Sequence, residues 1–118
     1  MKQNVIQEKS FDFVLSIISL YSILIKQNEY VISKQLLRSG TSISANIEEA
    51  IAGQSKRDFL TKMSIATKEA RETKYWLRLL DKSQIVNQDY RKHLKDIEEV
   101  LNILTAIVKT TQQQIQNL

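Results

Sequence analysis

Apolar residues recur every three or four positions along most of the chain, the spacing that stacks side chains on one face of an α-helix. In the first stretch Phe11, Val14, Ile18, Tyr21 and Ile25 form one such row, and Phe13, Ile17, Leu20 and Leu24 form a second. A helix with two apolar rows has more than one face to bury. The second stretch carries Ile32, Leu36, Gly40, Ile43, Ile47 and Ala50 in a single row. In the third, Phe59, Met63, Ala66, Ala70, Leu77 and Leu80 hold a heptad-like seam, with Thr73 filling its gap. Leu94, Ile97, Leu101, Leu104 and Val108 make the fourth. These rows predict helices over 5–27, 29–52, 56–81 and 88–113, each about 33–42 Å long at about 1.5 Å per residue. No segment alternates strictly enough to be a strand. Short connections make sequential helices antiparallel, so the expected fold is an all-α, up-and-down four-helix bundle, one domain over residues 1–118.

Polar residues punctuate the rows. Ser55 stands three positions before Asp58 and suits the N-cap of the third helix, while Asn87 suits that of the fourth. Gly53 is placed to cap the second helix in the left-handed conformation. Gly40 lies inside a helical row, where it costs roughly 1 kcal/mol relative to alanine. It implies either close approach of a neighbouring helix backbone or a kink within residues 39–42. The glutamine-rich end, Thr110 to Leu118, keeps Ile115 in register but is expected to fray.

Composition supports the helical reading. The chain has no proline and two glycines, too few for the many tight turns of a sandwich, barrel or doubly wound sheet. It has no cysteine, hence no disulfide, no thiol nucleophile and no cysteine-based zinc site. The N-terminus lacks the apolar core and cleavage site of a signal peptide. Asp12, Ser16, Ser19 and Ser22 interrupt Phe11–Ile25, which is shorter than the roughly 20 apolar residues of a membrane span. The expectation is a cytoplasmic protein without a membrane partner.

Charge is uneven. Residues 1–55 hold five basic and five acidic groups, residues 83–118 hold four of each, and residues 56–82 hold eight basic against four acidic. The net charge of +4 therefore belongs to the third helix. Within it Lys68, Arg71, Tyr75, Arg78 and Lys82 step by 3 and 4, making an exposed basic stripe with an aromatic in it. Lys56, Arg57, Lys62 and Lys74 lie nearby. Such a stripe would track a phosphate backbone, with Tyr75 or Trp76 as a stacking surface. The plainer alternative is a solvated helix face with Lys68 and Glu72 as an i,i+4 pair.

Catalytic chemistry finds little support. His93 is the lone histidine and reads as a surface residue of the fourth helix. Ser39, Thr41, Ser42 and Ser44 lack a base to activate them. Glu69 and Glu72 are three apart but have no histidine, and together with Glu48 and Glu49 they would hold a hard cation only weakly. No glycine-rich phosphate loop exists. The chain reads as a non-enzyme with no metal and no cofactor.

Two stretches are more specific. Lys34-Gln35-Leu36-Leu37-Arg38-Ser39-Gly40-Thr41-Ser42-Ile43-Ser44-Ala45-Asn46-Ile47-Glu48-Glu49-Ala50 is the first. The second joins Ser55-Lys56-Arg57-Asp58-Phe59-Leu60 to Glu69-Ala70-Arg71-Glu72-Thr73-Lys74-Tyr75-Trp76-Leu77. Both resemble the four-helix-bundle proteins encoded in intervening sequences of bacterial 23S rRNA genes, sometimes labelled ribosomal proteins. The chain also resembles the related accessory protein of diversity-generating retroelements. The resemblance implies a homopentamer of basic character that binds nucleic acid and a reverse transcriptase, and structured RNA or a DNA–RNA hybrid is the nucleic acid expected of it. It implies structural or inter-subunit roles for Gln35, Arg38, Ser39, Ser42, Asn46 and Glu49, which match the family motif. Two functional classes follow: a nucleic-acid-binding module, and a protein-interaction scaffold that touches nucleic acid little.

Overall fold

Four helices, α1 (Lys2–Lys26), α2 (Ile32–Ile51), α3 (Lys56–Ser83) and α4 (Arg91–Gln116), make an antiparallel up-and-down bundle of 51 × 23 × 22 Å. The computed structural model describes residues 2–117; Met1 and Leu118, at the ends of the expected domain, lie outside the described residues. No strand forms among the described residues. Around the bundle the helices follow chain order. α1 packs on α2 and α4, α3 packs on the same two, and α1 and α3 stand across the diagonal.

The apolar rows meet in one core. Phe13, Ile17, Leu20 and Leu24 of α1 are buried with Leu36, Ile43 and Ile47 of α2, Met63, Leu77 and Leu80 of α3, and Ile97, Leu101 and Leu104 of α4. Burying each large aliphatic side chain contributes about 1.5–3 kcal/mol, which is why these positions dictate which helix face turns inward. Of the other α1 row only Val14, 9% exposed, is buried, with Tyr21 and Ile25 half-buried. Phe11 and Ile18 stay 55% and 45% exposed, and Leu15 between them 51%.

Gly40 does not kink α2, which runs unbroken through it. A Cβ there would stand 3.1 Å from Ile17 Cγ2, so the close approach is made by an α1 side chain rather than by backbone.

Helix ends differ from the expected ones for local reasons. Asn28 adopts the left-handed conformation (φ 65°) after α1, and the buried Glu29 carboxylate then accepts the N–H groups of Val31 (3.0 Å), Ile32 (3.0 Å) and Ser33 (2.6 Å). A carboxylate on the positive end of a helix is a strong cap, so α2 begins at Ile32 rather than at residue 29. Ser55 caps α3 through the Asp58 N–H (3.1 Å), as its spacing predicts. Gly53 is not left-handed; α2 closes through Ala52 N–H to Glu48 O (3.2 Å) and Gly53 N–H to Ala50 O (3.1 Å). The left-handed cap belongs to Gln84 (φ 49°) at the end of α3. Asn87 does not cap α4. Val86 and Tyr90 turn inward from the loop, with the Tyr90 hydroxyl donating to Val86 O (2.9 Å), and this delays α4 to Arg91. At the far end α4 continues through the glutamine-rich segment to Gln116.

His93 is half-buried rather than a free surface residue, and its Nδ1 is buried without a hydrogen-bond partner. Burial pushes its pKa below the ordinary 6.5, with the Ser16 backbone, Asp96 and Asp89 opposing and Lys92 adding to the shift. The unfolded chain therefore binds more protons than the folded one between the depressed folded value and 6.5. Stability should rise with pH through that window and then level off. Urea midpoints measured across it should lose this slope in His93→Leu; an unchanged slope would assign it to other groups.

Candidate nucleic-acid interface

Turning Met63, Ala66, Ala70, Thr73, Leu77 and Leu80 into the core leaves the opposite side of α3 to solvent. At about 100° per residue, Asp58, Glu69 and Glu72 fall within an arc of about 60°, while Asp81, near the C-terminal end, lies on the α4 side next to Lys74. Lys56, Arg57, Lys68, Arg71, Lys74, Arg78 and Lys82 fall within a separate arc of about 120°. Only Lys62 lies on the acidic side. One exposed file, Arg57, Thr61, Ser64, Lys68, Arg71, Tyr75, Arg78 and Lys82, runs about 37 Å along the helix. The stripe read from sequence thus continues back to Arg57.

Contacts at the flanks decide which of these charges remain available. Lys62 pairs with Glu49 of α2 (3.2 Å) and Lys74 with Glu98 of α4 (2.7 Å). Lys56 donates to Gln114 Oε1 (2.8 Å). Arg57, Lys68, Arg71, Arg78 and Lys82 make no ion pair among the described residues. Elsewhere the surface cations are more often neutralised. Lys92 pairs with Asp96 (2.8 Å), Lys9 with Glu99 (3.4 Å), and Arg91 with Asp89 (2.8 Å), whose pKa its hydrogen bonds hold down to about 2.

The Lys68–Glu72 pair does not form, because Glu72 is engaged on its other side. Its Oε2 accepts from Arg38 Nη2 of α2 and from Trp76 Nε1 (3.1 Å). Arg38 also pairs with the buried Glu69 (3.3 Å) and donates through Nε to Gln35 Oε1 (3.2 Å). Below them the Thr73 hydroxyl donates to Ser39 Oγ (2.8 Å) in the closed interior. Asn46 Nδ2 donates to Ser42 O (2.8 Å) and Oγ (3.0 Å) within α2, and Glu49 takes Lys62. Several motif residues on α2 thereby tie α2 to α3 within the subunit. They also hold two of α3's four carboxylates away from its basic face.

Trp76 packs against the core, its ring edge-on to Tyr75 at 5.1 Å, so the aromatic open to solvent is Tyr75, 51% exposed. Glu48 accepts both bonds of Gln7 Nε2 (2.8 and 3.0 Å) and Glu49 faces Lys62, so the four glutamates do not converge. The described residues hold no group of three His, Asp or Glu side chains arranged for a metal ion. Sequence reasoning missed Lys109 of α4, which stands with Arg71 at a shallow groove of about 290 Å³ between α3 and α4.

Among solved structures, the chain is similar to a protein of unknown function from the S23 ribosomal protein family of Bacteroides thetaiotaomicron. The two share 48% identity with a TM-score of 0.87, over 92% of this chain and 99% of that one. No curated protein matches the chain. The family model described as 23S rRNA-intervening sequence protein matches residues 2–106, which takes in the α2 motif, the whole of α3 and most of the core. The chain belongs to the 23S rRNA-intervening sequence protein family.

Proposed function

We propose that this protein is a non-catalytic, oligomeric bundle that binds structured nucleic acid, RNA or a DNA–RNA hybrid, by its phosphates along the outer face of α3. The carrying observation is that three of the four α3 acids lie on the flank away from the basic file, and none of the file's cations is paired with a carboxylate among the described residues. A merely solvated helix would intersperse its signs. An α-helix face does not enter the deep, narrow major groove of an A-form duplex, so shape and phosphates supply the contacts and sequence matters little.

Assembly fits this reading. The outward row of α1, Phe11, Leu15 and Ile18, is the face a second copy would cover, and pentamer is the number the family resemblance implies. Because α1 and α3 sit on opposite corners of the bundle, covering the α1 row does not itself cover the basic file of the same subunit. A modest charge per chain would then repeat around a ring. No helix among the described residues is long and apolar enough to cross a membrane, and the cytoplasm is the compartment this reading requires.

Counterion release gives the test. Affinity for an RNA hairpin should fall steeply with salt, each neutralised duplex phosphate adding about 0.9 to the log–log slope. Arg71→Glu with Arg78→Glu should weaken RNA and hybrid alike by about tenfold or more and flatten the slope by about 2 units. Light scattering should show the oligomer intact. Unchanged affinity and slope would make the file a solvated face.

A second reading, a scaffold docking a partner such as a reverse transcriptase, has its own observation. Tyr30, Val31 and Ile85 are 60%, 75% and 63% exposed on the two connections at one end of the bundle. A reverse transcriptase gene beside this one, and loss of co-purification in Val31→Asp with Ile85→Asp, would favour it. A location inside an rRNA intervening sequence favours the first.

A further inference from the structure

We infer that the groove between the first half of α3 and the second half of α4 is a phosphodiester subsite, in which Arg71 and Lys109 hold one backbone phosphate from two sides. The inference rests on the nucleic-acid reading above and extends it to a second helix.

Arg71, Ser64 and Thr67 come from α3, and Lys109, Thr105 and Gln112 from α4, to line the same groove. No carboxylate lines it. The cause lies in the sequence: no acid follows Glu99, Asp58, Glu69 and Glu72 are on the other flank of α3, and Asp81 lies ten residues, about 15 Å, beyond Arg71 along the helix. Neither Arg71 nor Lys109 has an ion partner among the described residues. An Arg fork opposite a Lys point charge suits the two free oxygens of a phosphodiester.

Hydroxyl chemistry agrees. Thr61, Thr67 and Thr111 donate to the carbonyl four residues back, at 2.9, 2.8 and 2.7 Å. Ser64 and Thr105 are exposed at the groove and make no such bond, so their O–H groups are available to a phosphate oxygen. The walls are also pinned. Lys56–Gln114 (2.8 Å) ties α3 to α4 toward one end of the seam and Lys74–Glu98 (2.7 Å) ties them toward the other. A groove held at both ends is preorganised, and little ordering opposes binding. Two cations would also meet an acidic peptide. The nucleic-acid backbone is favoured because Arg71 belongs to a file about 37 Å long with Tyr75 within it, which matches a regular polyanion carrying bases.

The test compares Lys109→Glu, Lys109→Ala and, as a control on α4 outside the groove, Lys95→Glu, by anisotropy of a labelled RNA hairpin through a salt series. Lys109→Glu should lose about tenfold in affinity and about 1 unit of slope, Lys109→Ala less, and Lys95→Glu no more than about twofold. Unaltered circular dichroism and light scattering would confirm that fold and assembly persist. If Lys109→Glu binds like the parent while Arg71→Glu with Arg78→Glu does not, the groove is overturned and the α3 reading stands. If the parent shows no salt-dependent affinity for hairpin or hybrid, both fall. If polyglutamate of equal charge competes as well as unlabelled RNA, the phosphate assignment falls.

Discussion

Arg38→Met is expected to destabilise the protein by about 1–3 kcal/mol, read as a lower urea midpoint near neutral pH. Arg38 is half-exposed, with 50% of its side chain accessible, so solvent screens the Coulomb part of its pairs and that part is small. The larger effect comes from what it leaves behind. Glu69, with only 12% of its side chain exposed, would lose its cation while Glu72 one turn away keeps a like charge. Restoring neutrality with Glu69→Gln and Glu72→Gln in the same background should recover much of the loss. A second effect tests the link to the basic face. Released from Arg38, Glu72 is free to swing toward Lys68 four residues earlier, and RNA affinity should fall although no phosphate contact was removed. A change in stability below about 0.5 kcal/mol would reduce Arg38 to an ordinary surface cation.

The fold was legible because burial of apolar rows dominates its energetics, and a row at helical spacing names the buried face directly. All four seams reached the core. Helix ends were less legible, since a cap depends on hydrogen bonds that composition only suggests. Ser55 capped as expected, yet Gly53 did not, and a buried glutamate, Glu29, displaced the start of α2. Tyr90 shows why the start of α4 was misplaced: a buried aromatic in a loop breaks the periodicity that locates helices.

The candidate interface was legible along α3 and hidden across helices. Spacing gives the angle of Arg71 or Tyr75 about its own axis, but not how far α4 slides along α3. That sliding decides whether Lys109 meets Arg71 and whether Lys74 loses its charge to Glu98. The same limit applied to the α2 motif. Its residues were recognisable in sequence, but only the packing shows Arg38 drawing two carboxylates off the basic face.

Leu15→Glu with Ile18→Glu is expected to convert the assembly into monomers, giving a mass near 13.7 kDa by light scattering at micromolar concentration. Leu15 and Ile18 are 51% and 45% exposed, opposite the core row of Phe13, Ile17, Leu20 and Leu24, with Phe11 beside them at 55%. Removing each half-exposed side chain from water contributes about 1 kcal/mol, so the three supply about 3 kcal/mol per subunit, or roughly a hundredfold in association. The substitutions remove about two-thirds of that. They also set new carboxylates beside Glu8 and Asp12, which line the edge of the same face, and like charges there would oppose any residual contact. Since neither residue belongs to the core, helicity and the urea midpoint of the monomer should survive. Affinity for RNA per subunit should drop as well, because one file of cations no longer acts beside its copies. A parent protein that already runs as a monomer would refute the assembly and leave α1's outer face to a different partner.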